Sequence, residues 1–137
     1  MAIYHNDFAD LTVQFSEPIL TITLNRPESH NAISLEMVAS LETVLRCADF
    51  DPQVRVIILT GAGRSFCAGG DTKAMQQRTG MFAGEPNRLR ELYEDGIQRI
   101  PKTLTAMETP VIAAINGAAI GAGLDLACMC EIGRAHV

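Results

Sequence analysis

Apolar residues fall on every second position in two short runs near the start of the chain. Leu11 to Phe15 and Ile19 to Leu24 alternate apolar side chains with Thr, Gln and Ser on either side of Glu17-Pro18, the pattern of two half-buried strands joined by a tight turn. Arg26-Pro27-Glu28-Ser29-His30-Asn31 is rich in turn formers, and beyond it the spacing becomes helical. Leu35, Val38, Leu41, Leu45 and Ala48 predict a helix that Ser34 can cap and that Asp51-Pro52 ends. Val54 to Thr60 is a short continuous apolar run, as expected of a strand covered on both faces in a mostly parallel sheet. From Arg88 to Met107, the positions Leu89, Leu92, Tyr93, Gly96, Ile100, Leu104 and Met107 form a helical stripe that Pro101 should kink or split. Pro110 then opens a second buried strand, Val111 to Ile115.

The two buried strands begin a weak internal repeat of apolar strand, glycine turn and acidic residue. One copy runs from Val56 through Gly61 and Gly63 to Phe66-Cys67-Ala68-Gly69-Gly70-Asp71, the other from Val111 through Asn116-Gly117 to Gly121-Ala122-Gly123-Leu124-Asp125. Strands alternating with helices imply α/β construction with right-handed crossovers.

Composition narrows the function classes. The chain has 137 residues, 47% hydrophobic, with 16 acidic against 11 basic side chains and a formal net charge of -5. That is an ordinary balance for a globular domain, with no Lys/Arg cluster of the kind that neutralises a row of phosphates; a nucleic-acid partner is not expected. Cysteines at 47, 67, 128 and 130 have neither zinc-hook spacing nor a disulfide framework, so buried thiols in a reducing compartment are expected, and no metal. The first 25 residues hold Asp7, Asp10 and Glu17 and no Lys or Arg, opposite to a secretory or transit leader. Asn116 and Asp125 interrupt the best apolar run, so no membrane span is expected and a cytoplasmic enzyme is the default.

The glycine turns carry the candidate chemistry. Where a strand feeds a helix through Gly and Ala, the first N–H groups of the helix lack internal partners and the missing side chains let a ligand approach. Two such turns converging on one oxygen would make an oxyanion hole, suited to a carbonyl that becomes an enolate. Close helix packing alone would also account for the glycines. Nucleotide readings fail: Gly61-Ala62-Gly63-Arg64-Ser65-Phe66 lacks the final glycine of G-x-G-x-x-G, Leu126 stands where the second turn would need it, and neither turn offers the Lys-Ser or Lys-Thr of a P-loop.

Asn25-Arg26-Pro27, His30-Asn31-Ala32-Ile33-Ser34, Phe66-Cys67-Ala68-Gly69-Gly70-Asp71 and Pro110 to Gly117 with Gly121-Ala122-Gly123 together resemble the crotonase (enoyl-CoA hydratase/isomerase) superfamily, in order and in register. The resemblance covers nearly everything from the first strand to Cys130. It implies a crotonase-like ββα spiral core, truncated here, and an acyl-CoA thioester as substrate, with CoA part of that substrate and no separate cofactor. It places the oxyanion-hole N–H groups at Ala68 and Ala122, the CoA adenine contact near Ala32, and the thioester and pantetheine path along Gly70, Asp71, Thr72 and Gly121. Asp125 matches the first catalytic carboxylate of the family; a residue capping or pairing within the helix is the plainer reading. A carboxylate beside an apolar acyl pocket tends toward a raised pKa, as proton transfer near neutral pH requires. Hydratases usually carry Glu there, and Asp is shorter by one C–C bond of about 1.5 Å. Asp71 reads first as a helix N-cap, and His30 as a turn residue.

Enoyl-CoA hydration is the leading expectation, with dienoyl- or enoyl-CoA double-bond isomerisation and a non-catalytic acyl-CoA-binding relative as alternatives. A moonlighting RNA role draws no support from the acidic balance. Met75 to Arg88, with Met75, Met81 and Phe82, suits an apolar acyl pocket and plain core packing alike.

After Cys130 the family usually continues with Asp, an aliphatic residue and Arg, whereas this chain reads Glu131-Ile132-Gly133-Arg134-Ala135-His136-Val137. Residues 1–130 are therefore expected to be the N-terminal part of a crotonase-like domain and 131–137 a non-native tail resembling a translated sequencing adapter. The second carboxylate and the helices that make full-length relatives homotrimers or hexamers would lie in a missing C-terminal half. Expressed alone, the chain is expected to be insoluble or molten and catalytically poor. A sharp cooperative melt of a soluble monomer would overturn that expectation.

Overall fold

The computed structural model describes residues 2–5 and 7–135. Five strands form one sheet in the order β1 (Leu11–Ser16), β2 (Ile19–Leu24), β3 (Val56–Gly61), β4 (Val111–Ile115) and β5 (Ile132–Ala135). β1 and β2 are an antiparallel hairpin with Leu11 opposite Leu24, turned through a cis Glu17-Pro18 peptide; the other pairings are parallel. Each parallel pair needs a crossover, and helices supply them. α1 (Leu35–Asp49) links β2 to β3; α2 (Thr72–Gln77), α3 (Pro86–Glu94) and α4 (Arg99–Ala106) link β3 to β4; α5 (Ala122–Met129) links β4 to β5. This is the α/β architecture expected from the alternating pattern. The stretch 132–135, expected as a tail, pairs with β4 from Ile112 to Ile115.

Local sequence accounts for most boundaries. Ser34 is the N-cap of α1, its hydroxyl accepting the Met37 N–H at 3.0 Å. Met37, Val38, Leu41, Val44, Leu45 and Ala48 form its buried face. Leu35 belongs to the predicted stripe but is 37% exposed, because at the first helical position it precedes the turn that meets the core. At the other end of α1, the Asp49 carboxylate accepts the Glu108 and Thr109 N–H groups, fixing where the chain enters β4. Burial favours the neutral form of Asp49, but these donors outweigh it and hold the acid below the usual carboxylate range.

The long stripe from Arg88 to Met107 is split at 95–98, before Pro101. Pro101 is the third residue of α4, in the first turn, where its missing N–H costs no intrahelical bond. β3 and β4 are less completely covered than a doubly buried strand requires: Ile57, Leu59, Val111 and Ala113 are buried, while Val56, Ile58 and Ile112 are half-buried. Leu20, Ile22 and Leu24 of β2 complete this inner face against α1, and Phe66 lies fully buried with them.

Asn31 is the most heavily used polar side chain in this core. It is fully buried, with a left-handed φ of 57° that Asn tolerates better than most residues. Its Oδ1 accepts the Arg26 N–H at 2.8 Å, and its Nδ2 donates to the Ala62 and Ser65 carbonyls, both at 2.9 Å. Asn31→Ala should destabilise the protein by about 3 kcal/mol, since it strands buried partners and keeps a left-handed backbone without the amide. Asn31→Asp, which turns an acceptor toward two carbonyls, should cost at least as much; urea denaturation of both variants checks this.

Candidate active site

The two glycine turns are hydrogen-bonded to each other. The Phe66 and Cys67 N–H groups donate to the Ala118 carbonyl at 3.0 and 3.1 Å, and the Ile120 N–H returns to the Cys67 carbonyl at 3.0 Å. Gly69 has φ +86°, and a β-carbon there would collide with the Ile120 carbonyl and the Ala122 nitrogen. A β-carbon on Gly123 would likewise strike the Cys67 carbonyl. These glycines therefore do serve close packing, and that packing puts the start of α5 against the Gly69-Gly70 backbone.

The expected donors differ in their hydrogen bonds. The Ala68 N–H donates to the His30 carbonyl at 3.0 Å, so it is not free to bind a ligand oxygen. The Gly70 and Ala122 N–H groups have no acceptor among the described residues. Ala122 is the first residue of α5, whose N-terminus carries partial positive charge.

Two cavities flank this junction. One, of about 290 Å³, is lined by Ala32, Ala68, Gly70, Asp71 and Thr72, together with Glu28, Ser29, His30 and Lys73. It gathers the residues proposed for the CoA path. The other, of about 180 Å³, is lined by Ala122, Asp125, Leu126 and Met129 of α5, Ile100 and Pro101 of α4, and Ile33, Ile97 and Gln98. Gly121, with φ +56°, shapes the turn but lines neither.

Asp125 lies in the first turn of α5, exposed at the edge of the smaller cavity and beside its apolar lining residues Ala122, Leu126 and Met129. Asp71 is the N-cap of α2 as read from the sequence, accepting the Ala74 N–H at 3.1 Å. It also meets Arg26, whose Nη2 lies 3.4 Å from Oδ2. The Ala74 N–H outweighs the opposing effect of burial and, with the Arg26 guanidinium, holds the Asp71 carboxyl below the ordinary range. His30 Nδ1 is 3.1 Å from the Ser65 hydroxyl, a turn-bracing contact. The Cys67 thiol, pushed up by burial, donates to the Asn31 carbonyl.

Known proteins match this arrangement. The family model described as enoyl-CoA hydratase/isomerase covers residues 14–135, and the chain belongs to that family. The (E)-benzylidenesuccinyl-CoA hydratase of Thauera aromatica is 38% identical over 89% of this chain and 45% of its own length. Bacillus subtilis YngF is 41% identical over 85% of this chain and 43% of its own. Among solved structures, Pseudomonas aeruginosa AtuE superposes with a TM-score of 0.81 at 37% identity, covering 93% of this chain and 48% of that one. An enoyl-CoA hydratase from Bacillus anthracis gives 0.78 at 31%, covering 93% and 47%. The chain thus spans less than half the length of these relatives.

Sequence reasoning gave no role to Arg26, Lys73 or Asn116, although Arg26 and Asn116 stand inside motifs it singled out. Their signal was a polar residue flanking a turn, which many surface loops share. Asp71 supplies a test with a definite sign. Because its folded pKa is depressed, its ionised form contributes stability that is present above the unfolded value and lost as pH falls through the folded one. Asp71→Ala should cost about 1 kcal/mol at pH 7. Urea titrations across pH should show that cost shrinking once pH drops below about 4.

Proposed function

We propose that this chain supplies the thioester-binding face and the oxyanion hole of an acyl-CoA lyase or isomerase, in the first place an enoyl-CoA hydratase. The observation that carries the reading is the pair of N–H groups without acceptors, at Gly70 and Ala122, on turns locked together at Gly69. A thioester carbonyl received by both would gain negative charge as water adds to the β-carbon and the enolate forms. Backbone donors fixed in advance stabilise that charge more than the neutral carbonyl, which lowers the barrier. Asp125, on the same helical turn as Ala122, is the group that would exchange a proton with the substrate carbon or the water. Ala122 in place of the glycine more common in the family keeps the N–H and adds a methyl, so it changes pocket shape rather than mechanism.

Double-bond isomerisation is the second reading, because Asp125 stands where hydratases usually carry Glu and is shorter by one C–C bond of about 1.5 Å. As part of the same proposal, the protein acts in fatty-acid β-oxidation in the cytoplasm, with no cofactor beyond the CoA of its substrate, and its full-length form is a homotrimer or hexamer.

The test is turnover of crotonyl-CoA and of a dienoyl-CoA by the full-length gene product. Asp125→Asn should lower kcat about 10²–10⁴-fold while leaving CoA-ester affinity largely intact. Ala122→Pro, which removes the N–H at a helix position that accepts proline, should lower kcat about 10²–10³-fold. Unchanged rates in both variants would rule out this assignment of the site.

A further inference from the structure

Arg26 follows the end of β2 and turns a mostly buried guanidinium, 18% exposed, toward two separate edges of the larger cavity. Nη1 donates to the Ala32 carbonyl at 2.8 Å, and Nη2 reaches Asp71 Oδ2 at 3.4 Å. Its Nε faces Asp10, 3.8 Å away, so one cation stands between two carboxylates. The backbone of Arg26 is itself fixed, its N–H by Asn31 Oδ1 and its carbonyl by the Ser29 and Asn31 N–H groups. Ala32 and Asp71 lie on different segments, before α1 and at the start of α2, and Asp71 directly follows Gly70.

We propose that Arg26 is a positioning residue that holds the Ala32 edge of the cavity in register with the Gly70 N–H. This rests on the reading of that cavity as a CoA-thioester site, with the nucleotide near Ala32 and the reacting carbonyl at Gly70. Binding energy from the remote nucleotide accelerates reaction only when it fixes the carbonyl against its donors, and that requires the two edges to keep a constant separation. A planar fork can bond a carbonyl and a carboxylate at once. An ammonium retains the charge but not that geometry.

The consequence is a dependence on substrate length. In the full-length gene product, wild type should prefer crotonyl-CoA over crotonyl-N-acetylcysteamine, the same thioester without the nucleotide. Arg26→Lys should lower kcat on crotonyl-CoA about tenfold or more, with kcat/KM on the truncated thioester nearly unchanged, so that the preference collapses. Arg26→Gln, which can still donate to the Ala32 carbonyl but offers no charged fork to Asp71, should reproduce the collapse and serves if Arg26→Lys does not fold. Equal losses on both thioesters, as from general destabilisation, or a preserved preference would overturn the inference. A wild type that turns over neither thioester would instead fail the functional reading, and the inference with it.

Discussion

The site depends on how one surface loop is held, and two asparagines hold it by meeting on a single carbonyl oxygen. Asn31 Nδ2 and Asn116 Nδ2 donate to the Ser65 carbonyl at 2.9 and 3.2 Å, one from the turn before α1 and the other from the end of β4. Asn116 continues around the loop, accepting the Gly61 N–H through Oδ1 and donating to the Gly63 carbonyl. A carbonyl has two lone pairs, so this oxygen is saturated by side chains that come from both directions in sequence. Residues 61–65 would otherwise be a short glycine-rich connection with few backbone partners of its own, and Phe66 to Gly70, which lead into the proposed site, follow immediately.

Amides suit this task better than charged groups. Each Asn brings two donors and an acceptor without the desolvation cost of a buried ion, and the bond they share, at the Ser65 carbonyl, satisfies a group on a buried residue. Among the described residues, no buried side-chain nitrogen or oxygen lacks a partner, so the network is complete where it is most expensive to fail. Ionic contacts are placed farther out, around Arg26, where part of each side chain still reaches solvent and a carboxylate can keep its charge.

Much of this fold is readable from local chemistry. Alternation marks β1 and β2, and Ser34 and Asp71 mark two helix starts by the bonds they make; the break between α3 and α4 is legible too, although it falls at 95–98 and Pro101 sits in the first turn of α4. The pieces that were not readable share one physical property: their roles are set by partners distant in sequence. Asn116 acts on residues more than 50 positions away and Asn31 on residues more than 30 away. No periodicity or turn preference reports such pairings. Leu35 shows the reverse error, since helical spacing puts it on the apolar stripe while tertiary packing leaves it outside.

The difference between the Ala68 and Gly70 N–H groups has the same origin in sharper form. In regular extended chain, residues two apart present their N–H groups to the same side, so either would serve equally. Gly69 lies between them with φ +86° and breaks that alternation. Its left-handed turn leaves the Ala68 N–H directed at the His30 carbonyl, and Gly70 beyond the turn without an acceptor. The Phe66-to-Asp71 motif thus contains one glycine that sets the direction of the chain and another whose bare backbone can approach a ligand. Residue identity alone cannot distinguish these two jobs; the hydrogen bonds of the neighbouring turn can, because a backbone donor is available to substrate only where the protein has left it without a partner.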